Sequence, residues 1–164
     1  MDSDRLIFTR FQAAEFEHYA GLMMHPDVMR YITGEPLSRE QAAQRFQKVM
    51  KDNESRADIG WFGVYHKLDQ SFVGLAKLVD FGDHRAEAGY ALLPAYWGQR
   101  YASEMLETMV TLAKKVGEFD ALIGVVDPEN AASIRILEKQ GFTFYESVPR
   151  DGETVHHYQL LIRQ

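Results

Sequence analysis

The chain contains no cysteine among its 164 residues, which excludes disulfides, thiolate metal sites and a cysteine nucleophile together. That usage fits a reducing, cytoplasmic setting. No apolar run approaches the roughly 18 residues of a membrane span. The opening Met1-Asp2-Ser3-Asp4-Arg5 carries charge where a signal peptide needs an apolar core, so neither export nor a membrane anchor is expected. Basic residues are the scarcer charge: 18 Lys and Arg against 24 Asp and Glu give a net charge of −6. Such a field repels nucleic-acid phosphates and anionic lipid, and favours cationic substrates. Basic patches interleaved with aromatics are missing as well, which argues against a nucleic-acid partner. Repeats, low-complexity tracts and Pro/Ser-rich linkers are absent too, leaving a single domain over residues 1–164 as the expectation.

What is present is periodicity. Leu6-Ile7-Phe8 reads as a short strand. Ala13 to Met24 reads as a helix with Phe16, Tyr19, Ala20 and Met23 on one face, broken at His25-Pro26-Asp27. Tyr31 to Pro36 is a loop, and Ser38 with Gln41 predicts a capping box opening a helix through Ala42, Phe46, Val49 and Met50. Strand patterning then takes over. Gly60–Tyr65 and Phe72–Phe81 form a hairpin across Leu68-Asp69-Gln70, and Ala86–Leu93, stopped by Pro94, adds a third strand. A long helix follows, with Ala102, Met105, Met109, Leu112 and Val116 on one face and Gly117 as its stop. Ala121–Val126 is a buried strand, Asn130 caps a last helix ended by Gly141, and Phe142–Val148 and Thr154–Ile162 are strands joined at Arg150-Asp151-Gly152. The order β-α-α-β-β-β-α-β-α-β-β predicts a mixed α+β fold. Its centre is the strand–helix–strand unit from Glu87 to Val126, where a ligand is expected.

The segment Pro94-Ala-Tyr-Trp-Gly-Gln-Arg-Tyr-Ala-Ser103 runs from a strand directly into a helix, so free N–H groups and the positive helix end face the loop and suit an anion. An ordinary strand-to-helix turn with Gly98 supplying geometry explains the same residues. The segment is neither the dinucleotide fingerprint nor the P-loop, both of which need more glycines.

Three segments in order carry a more specific signal: Ala86-Glu-Ala-Gly-Tyr-Ala-Leu-Leu-Pro94, Tyr96-Trp-Gly-Gln-Arg-Tyr-Ala-Ser-Glu104 and Asp127-Pro-Glu-Asn-Ala-Ala-Ser-Ile-Arg-Ile-Leu-Glu-Lys-Gln-Gly-Phe142. With Asp4-Arg-Leu-Ile-Phe8 and His25-Pro-Asp-Val-Met-Arg-Tyr-Ile32, they resemble the GNAT superfamily of acetyl-CoA-dependent N-acetyltransferases, in its RimJ/RimL-like branch. The resemblance implies a splayed mixed sheet of about seven strands with helices on both faces, and direct acetyl transfer to a primary amine through a tetrahedral intermediate. The acceptor class it implies is a protein N-terminus or a small-molecule amine. It assigns cofactor contacts to the strand backbone at Ala91 and Leu93, to the pyrophosphate loop Gly98, Gln99, Arg100, Tyr101, Ala102 and Ser103, and to Asn130. Homodimers are common in that branch, and the sequence leaves the oligomeric state open.

Two departures from the family pattern stand out. Arg100 replaces the usual glycine, which predicts ordinary backbone angles in the loop and a guanidinium available to a phosphate, while Trp97 stands where Gln or Arg is common. Leu137 occupies the place where many relatives have a tyrosine general acid, so another proton donor is required.

Acetylating an amine at neutral pH needs a base, because the ammonium form dominates. Glu87 matches a glutamate that serves as base in several family members; an ion-paired strand carboxylate is the alternative reading. Ser133, one turn into the last helix, is placed to protonate the leaving thiolate, or else to bond locally with the Asn130 cap. Tyr145 and Tyr158 are weaker donor candidates, and His84 is a candidate at the cleft edge. The six histidines show no metal-ligand spacing, so no metal is expected. A catalytically silent acyl-CoA sensor or interaction domain on the same scaffold is the rival reading.

Overall fold

Seven strands form one sheet in the order β1-β2-β3-β4-β5-β7-β6 in a computed structural model that describes residues 1–163. The strands are β1 (Leu6–Arg10), β2 (Gly60–His66), β3 (Phe72–Gly82), β4 (Arg85–Leu92), β5 (Ala121–Val126), β6 (Thr143–Arg150) and β7 (Glu153–Leu161). Five helices complete it: α1 (Phe16–Met23), α2 (Pro26–Met29), α3 (Arg39–Ser55), α4 (Tyr101–Val116) and α5 (Ala131–Lys139). This is the mixed GNAT-like architecture expected from the sequence. Among the described residues, no helix is long and apolar enough to cross a membrane.

Alternation along the central strands divides the core. Leu75 and Ala91 face α1 and α3, in a cluster with Tyr19, Met23, Phe46 and Val49. Ala76, Leu78, Ala88 and Leu92 face the other way, toward Met105, Met109 and Leu137 of α4 and α5. The Ser38 capping box forms as expected, with Ser38 Oγ accepting from Gln41 N at 3.1 Å and Gln41 Oε1 accepting from Ser38 N at 2.9 Å. Two details near the amino terminus differ from the sequence reading. The first helix starts with a 3₁₀ turn over Ala13–Glu15, and Pro26 opens the short α2 instead of a plain break. Proline fits there because the first helical residue has no intrahelical use for its N–H, and His25 Nδ1 accepts the Asp27 N–H at 3.2 Å.

All neighbouring strands are antiparallel except β4 and β5, which run parallel. Their register covers only Arg85↔Ala121, Ala86↔Leu122 and Glu87↔Ile123. Beyond Glu87 the two strands diverge, and the sheet splays toward their carboxyl ends.

Candidate active site

The backbone decides what the splay exposes. Leu93 N donates to Val73 O at 2.9 Å, and the unbroken register from Leu92↔Gly74 to Ala88↔Leu78 then fixes the alternation. Peptide groups of Leu93, Ala91 and Gly89 point toward β3, whereas those of Ala88, Tyr90 and Leu92 point toward β5. Leu93 is committed on both sides, because its carbonyl accepts from Tyr96 N at 2.9 Å. Leu92 O is taken by Trp97 Nε1 at 2.9 Å, which gives the unusual tryptophan a structural task. Tyr90 is therefore the residue whose peptide N–H and C=O open into the gap. Ala91 and Leu93, the positions singled out by resemblance, lie one and three residues further on with their peptide groups turned toward β3, away from the gap.

The chain leaves β4 into α4 and β5 into α5, so both helices begin at the open end of this gap. At α4 the approach is not the one expected. Arg100 adopts φ 65° and ψ 16°, a left-handed conformation, although arginine at this position predicted ordinary angles. The cost, about 1–2 kcal/mol for a residue with a Cβ, is met by contacts that fix the loop on both sides. Arg5 Nη1 donates to Gln99 O at 2.9 Å, and Tyr101 is 6% exposed beneath the Arg5 guanidinium, 4.0 Å from its ring centre. Gly98 is also left-handed at φ 73°, with nothing within 4 Å of where a Cβ would stand. Residues 98 and 100 are thus both left-handed, and no side chain caps the first turn of α4. Glu104 in that turn is neutralised from the amino terminus: Arg5 Nε lies 2.8 Å from Oε2, while Ser3 Oγ at 2.6 Å and Arg5 N at 2.7 Å donate to Oε1.

A cleft of about 410 Å³ occupies the splay and continues over the α1–α3 face; Glu87, Ala91 and Ser133 all line it. Glu87 Oε1 pairs with Lys77 Nζ at 2.6 Å, with both side chains about one-fifth exposed. The pairing was the alternative reading of Glu87, and it coexists with exposure to the cleft. Lys77 reaches across Gly89, where a Cβ would stand 2.8 Å from Lys77 Cε, and its ammonium lies 4.8 Å from the Trp61 ring centre. Trp61 Nε1 in turn donates to Asp52 Oδ2 at 3.0 Å, and Lys48 Nζ holds the same oxygen at 2.8 Å. Burial raises the Asp52 carboxyl, but the Lys48 and Trp61 bonds outweigh it and hold the group below its usual range.

Across the gap, Asn130 Oδ1 accepts the Ser133 N–H at 3.2 Å, the expected helix cap. The Ser133 hydroxyl is not spent on that cap; it shares a 2.8 Å hydrogen bond with Tyr90 Oη. Burial pushes the Tyr90 phenol up while the Ser133 bond pulls it down, leaving it raised and protonated at neutral pH. Leu137 is buried against Gly124, with its Cδ2 only 2.6 Å from where a Cβ would stand. No hydroxyl is available from that position.

The remaining candidates fall outside the cleft lining. Gln99 Nε2 bonds back to Ala95 O at 3.1 Å, Ala102 packs against the core, and Ser103 O accepts from Gln140 Nε2 at 2.7 Å, tying the start of α4 to the end of α5. His84 sits in the β3–β4 turn beside Asp80, Asp83 and Glu118. Tyr158 is buried in the core and Tyr145 is exposed on β6. Among the described residues, no group of three or more His, Asp or Glu could hold a metal ion. Tyr90 and Lys77 are the residues the sequence reading missed, because both depend on which strand face turns toward the gap.

The fold has counterparts in known proteins. Residues 5–143 match the family model described as an acetyltransferase (GNAT) domain. The chain is 27% identical over 145 residues to the uncharacterized N-acetyltransferase YoaA of Bacillus subtilis, covering 87% of this chain and 81% of the relative. In fold it is similar to the ribosomal α-N-protein acetyltransferase RimL in complex with coenzyme A, with TM-score 0.81, 15% identity and 98% and 96% of the two chains covered. It is also similar to spermidine N-acetyltransferase from Vibrio cholerae in complex with CoA and spermine, with TM-score 0.78, 17% identity and 96% and 95% covered. With a family model spanning most of its length and the splayed sheet that fold requires, the chain belongs to the GNAT family and is an acetyltransferase.

Proposed function

We propose that this protein transfers the acetyl group of acetyl-CoA to a primary amine, within the RimJ/RimL-like branch of the family. The observation that carries the reading is the three-residue pairing of β4 with β5, which leaves the Tyr90 peptide groups unpaired inside a cleft that also holds Glu87. An extended amide-containing chain fits that gap as an added strand fits a sheet edge. The left-handed pair Gly98 and Arg100 and the uncapped start of α4 suit a pyrophosphate. Acetyl-CoA supplies the acetyl group as an activated thioester.

Within this reading Glu87 takes a proton from the acceptor ammonium, directly or through one water, so that the neutral amine can attack. Lys77 aims the Glu87 carboxylate, and no other side chain among the described residues bonds it. As the carbon–sulfur bond breaks, Ser133 gives its hydroxyl proton to the sulfur, and the second proton lost by the acylated nitrogen, relayed through water and Tyr90, restores the Ser133 hydroxyl. Calorimetry with acetyl-CoA, with and without chelator, followed by thiol release across a panel of amines, tests the proposal. Metal-independent binding and amine-dependent thiol release are expected. Binding without thiol release from any amine refutes transfer in favour of a silent acyl-CoA sensor.

A further inference from the structure

Beyond its matched pairs the cleft is lined by Arg45, Arg150, Asp127, Asp151 and Glu153, none with an ion-pair partner among the described residues. On its inner wall Glu87 is matched by Lys77, and nearby Asp52 by Lys48 and the Trp61 indole. That leaves Arg45 as the unmatched charge of the helical wall. It projects from α3 into the cleft, is exposed, and has no hydrogen-bond or ion-pair partner among the described residues. Beside it is Tyr19, 3% exposed overall, which lines the same cleft and whose hydroxyl has no partner among the described residues. Burial pushes the Tyr19 phenol up to about 12 against the opposing charge of Arg45, so it remains an O–H donor at any working pH.

The hairpin wall carries the opposite sign. Asp151 and Glu153, at the β6–β7 tip, line the cleft without an ion-pair partner among the described residues. The third charge there, Arg150, donates its Nη2 to Ile32 O at 3.3 Å and ties the tip to the loop after α2.

Resting on the acetyl transfer proposed above, we infer that the acceptor carries a carboxylate as well as its amine, as an amino acid or short peptide does, and that Arg45 and Tyr19 receive the carboxylate. The amine then faces Glu87, with Asp151 and Glu153 favouring the approach of its ammonium form. A guanidinium and a phenol together offer two or more donors to one carboxylate, the arrangement in which charge-assisted hydrogen bonds are strongest. A polyamine brings no carboxylate and leaves Arg45 unmatched. The net charge of −6 favoured cationic substrates; the local distribution of charge selects a bipolar one instead.

The test is thiol release with matched acceptors: amino acids and dipeptides, each against its decarboxylated or amidated counterpart, with spermidine alongside. The carboxylated member of the best pair is expected to lead in kcat/KM by about tenfold or more, a margin suited to an exposed charged contact. Arg45→Gln should collapse that lead through KM rather than kcat, and Arg45→Lys should retain part of it. Counterparts lacking the carboxylate, or spermidine, turned over as well as the carboxylated member overturn the inference while leaving acetyl transfer intact. A lead that survives Arg45→Gln overturns the assignment of Arg45. Acetyl-CoA binding with no turnover of any amine overturns the transfer reading itself, and this inference with it. Thermal melting of each variant separates these outcomes from misfolding, since Arg45 is exposed and makes no hydrogen bond or ion pair among the described residues.

Discussion

Replacing Glu87 by glutamine keeps its size and removes the carboxylate, and its effects on activity and stability separate cleanly. The Glu87–Lys77 pair is tight, at 2.6 Å, and only about one-fifth exposed on each side. Breaking a fully buried pair costs about 3–5 kcal/mol and an exposed one about 0–1. This site lies between them, at about 2 kcal/mol, because the stranded Lys77 ammonium keeps the Trp61 ring face and some water. For a chain of this size that corresponds to a fall in Tm of roughly 4–8 °C. If Glu87 is the base, kcat falls by roughly 10²–10⁴ at neutral pH with little change in acetyl-CoA affinity, and raising the pH partly rescues it as more acceptor amine becomes neutral. The informative partner is Lys77→Met, which keeps length and loses charge. In the double variant the uncompensated ammonium is gone, so most of the lost Tm returns while kcat stays low. Melting curves and steady-state thiol release on the two single variants and the double variant check this. Wild-type kcat in Glu87→Gln, or recovery of kcat together with Tm in the double variant, refutes the role of Glu87 as base.

Four further outcomes follow from the same geometry. Arg5→Ala removes the contacts to Glu104, Gln99 O and Tyr101 that hold the left-handed Arg100, so calorimetry should show acetyl-CoA binding weakened by about tenfold with kcat at saturation largely kept. Burial raises the Glu104 carboxyl, but the Ser3 and Arg5 hydrogen bonds outweigh it and hold the group below its ordinary 4.5. The stability it contributes is therefore present above pH 4.5 and drains as pH falls below, an acid limb that Glu104→Gln should flatten in pH-dependent melts. Ser103→Glu should raise apo Tm slightly, through about 0.3–1 kcal/mol of favourable helix-dipole interaction, while weakening binding of the anionic cofactor in calorimetry; a loss of both points to simple misfolding. Ser133→Ala should lower kcat by about 10–100-fold at unchanged cofactor affinity, and Tyr90→Phe by less, since Ser133 then keeps its own proton; equal wild-type turnover in both leaves protonation of the thiolate to water.

The elements of this protein were legible in its sequence because their signals are local. Ser38 and Gln41 announce a helix start, Asn130 caps α5, and period-two hydrophobicity marks β2 to β4, since each depends on residues within one or two turns. The helix-start loop after β4 and the candidacy of Ser133 were readable for the same reason, whereas Glu87 became a candidate through the family resemblance. Four features were not. The phase of β4, which turns the peptide groups of Tyr90 rather than Leu93 into the gap, is set by a hydrogen bond from Leu93 to Val73, 20 residues away in the chain. The left-handed Arg100 depends on Arg5 and Glu104, which meet across 99 residues of sequence. Lys77 reaches Glu87 because β3 and β4 are in register and Gly89 leaves the room. Arg45 and Asp151 come to line one cleft because a helix and a hairpin far apart in sequence both border it. Local propensity fixes where strands and helices occur, whereas strand phase, close approach and opposing charges arise from packing between distant segments, which only the tertiary structure supplies.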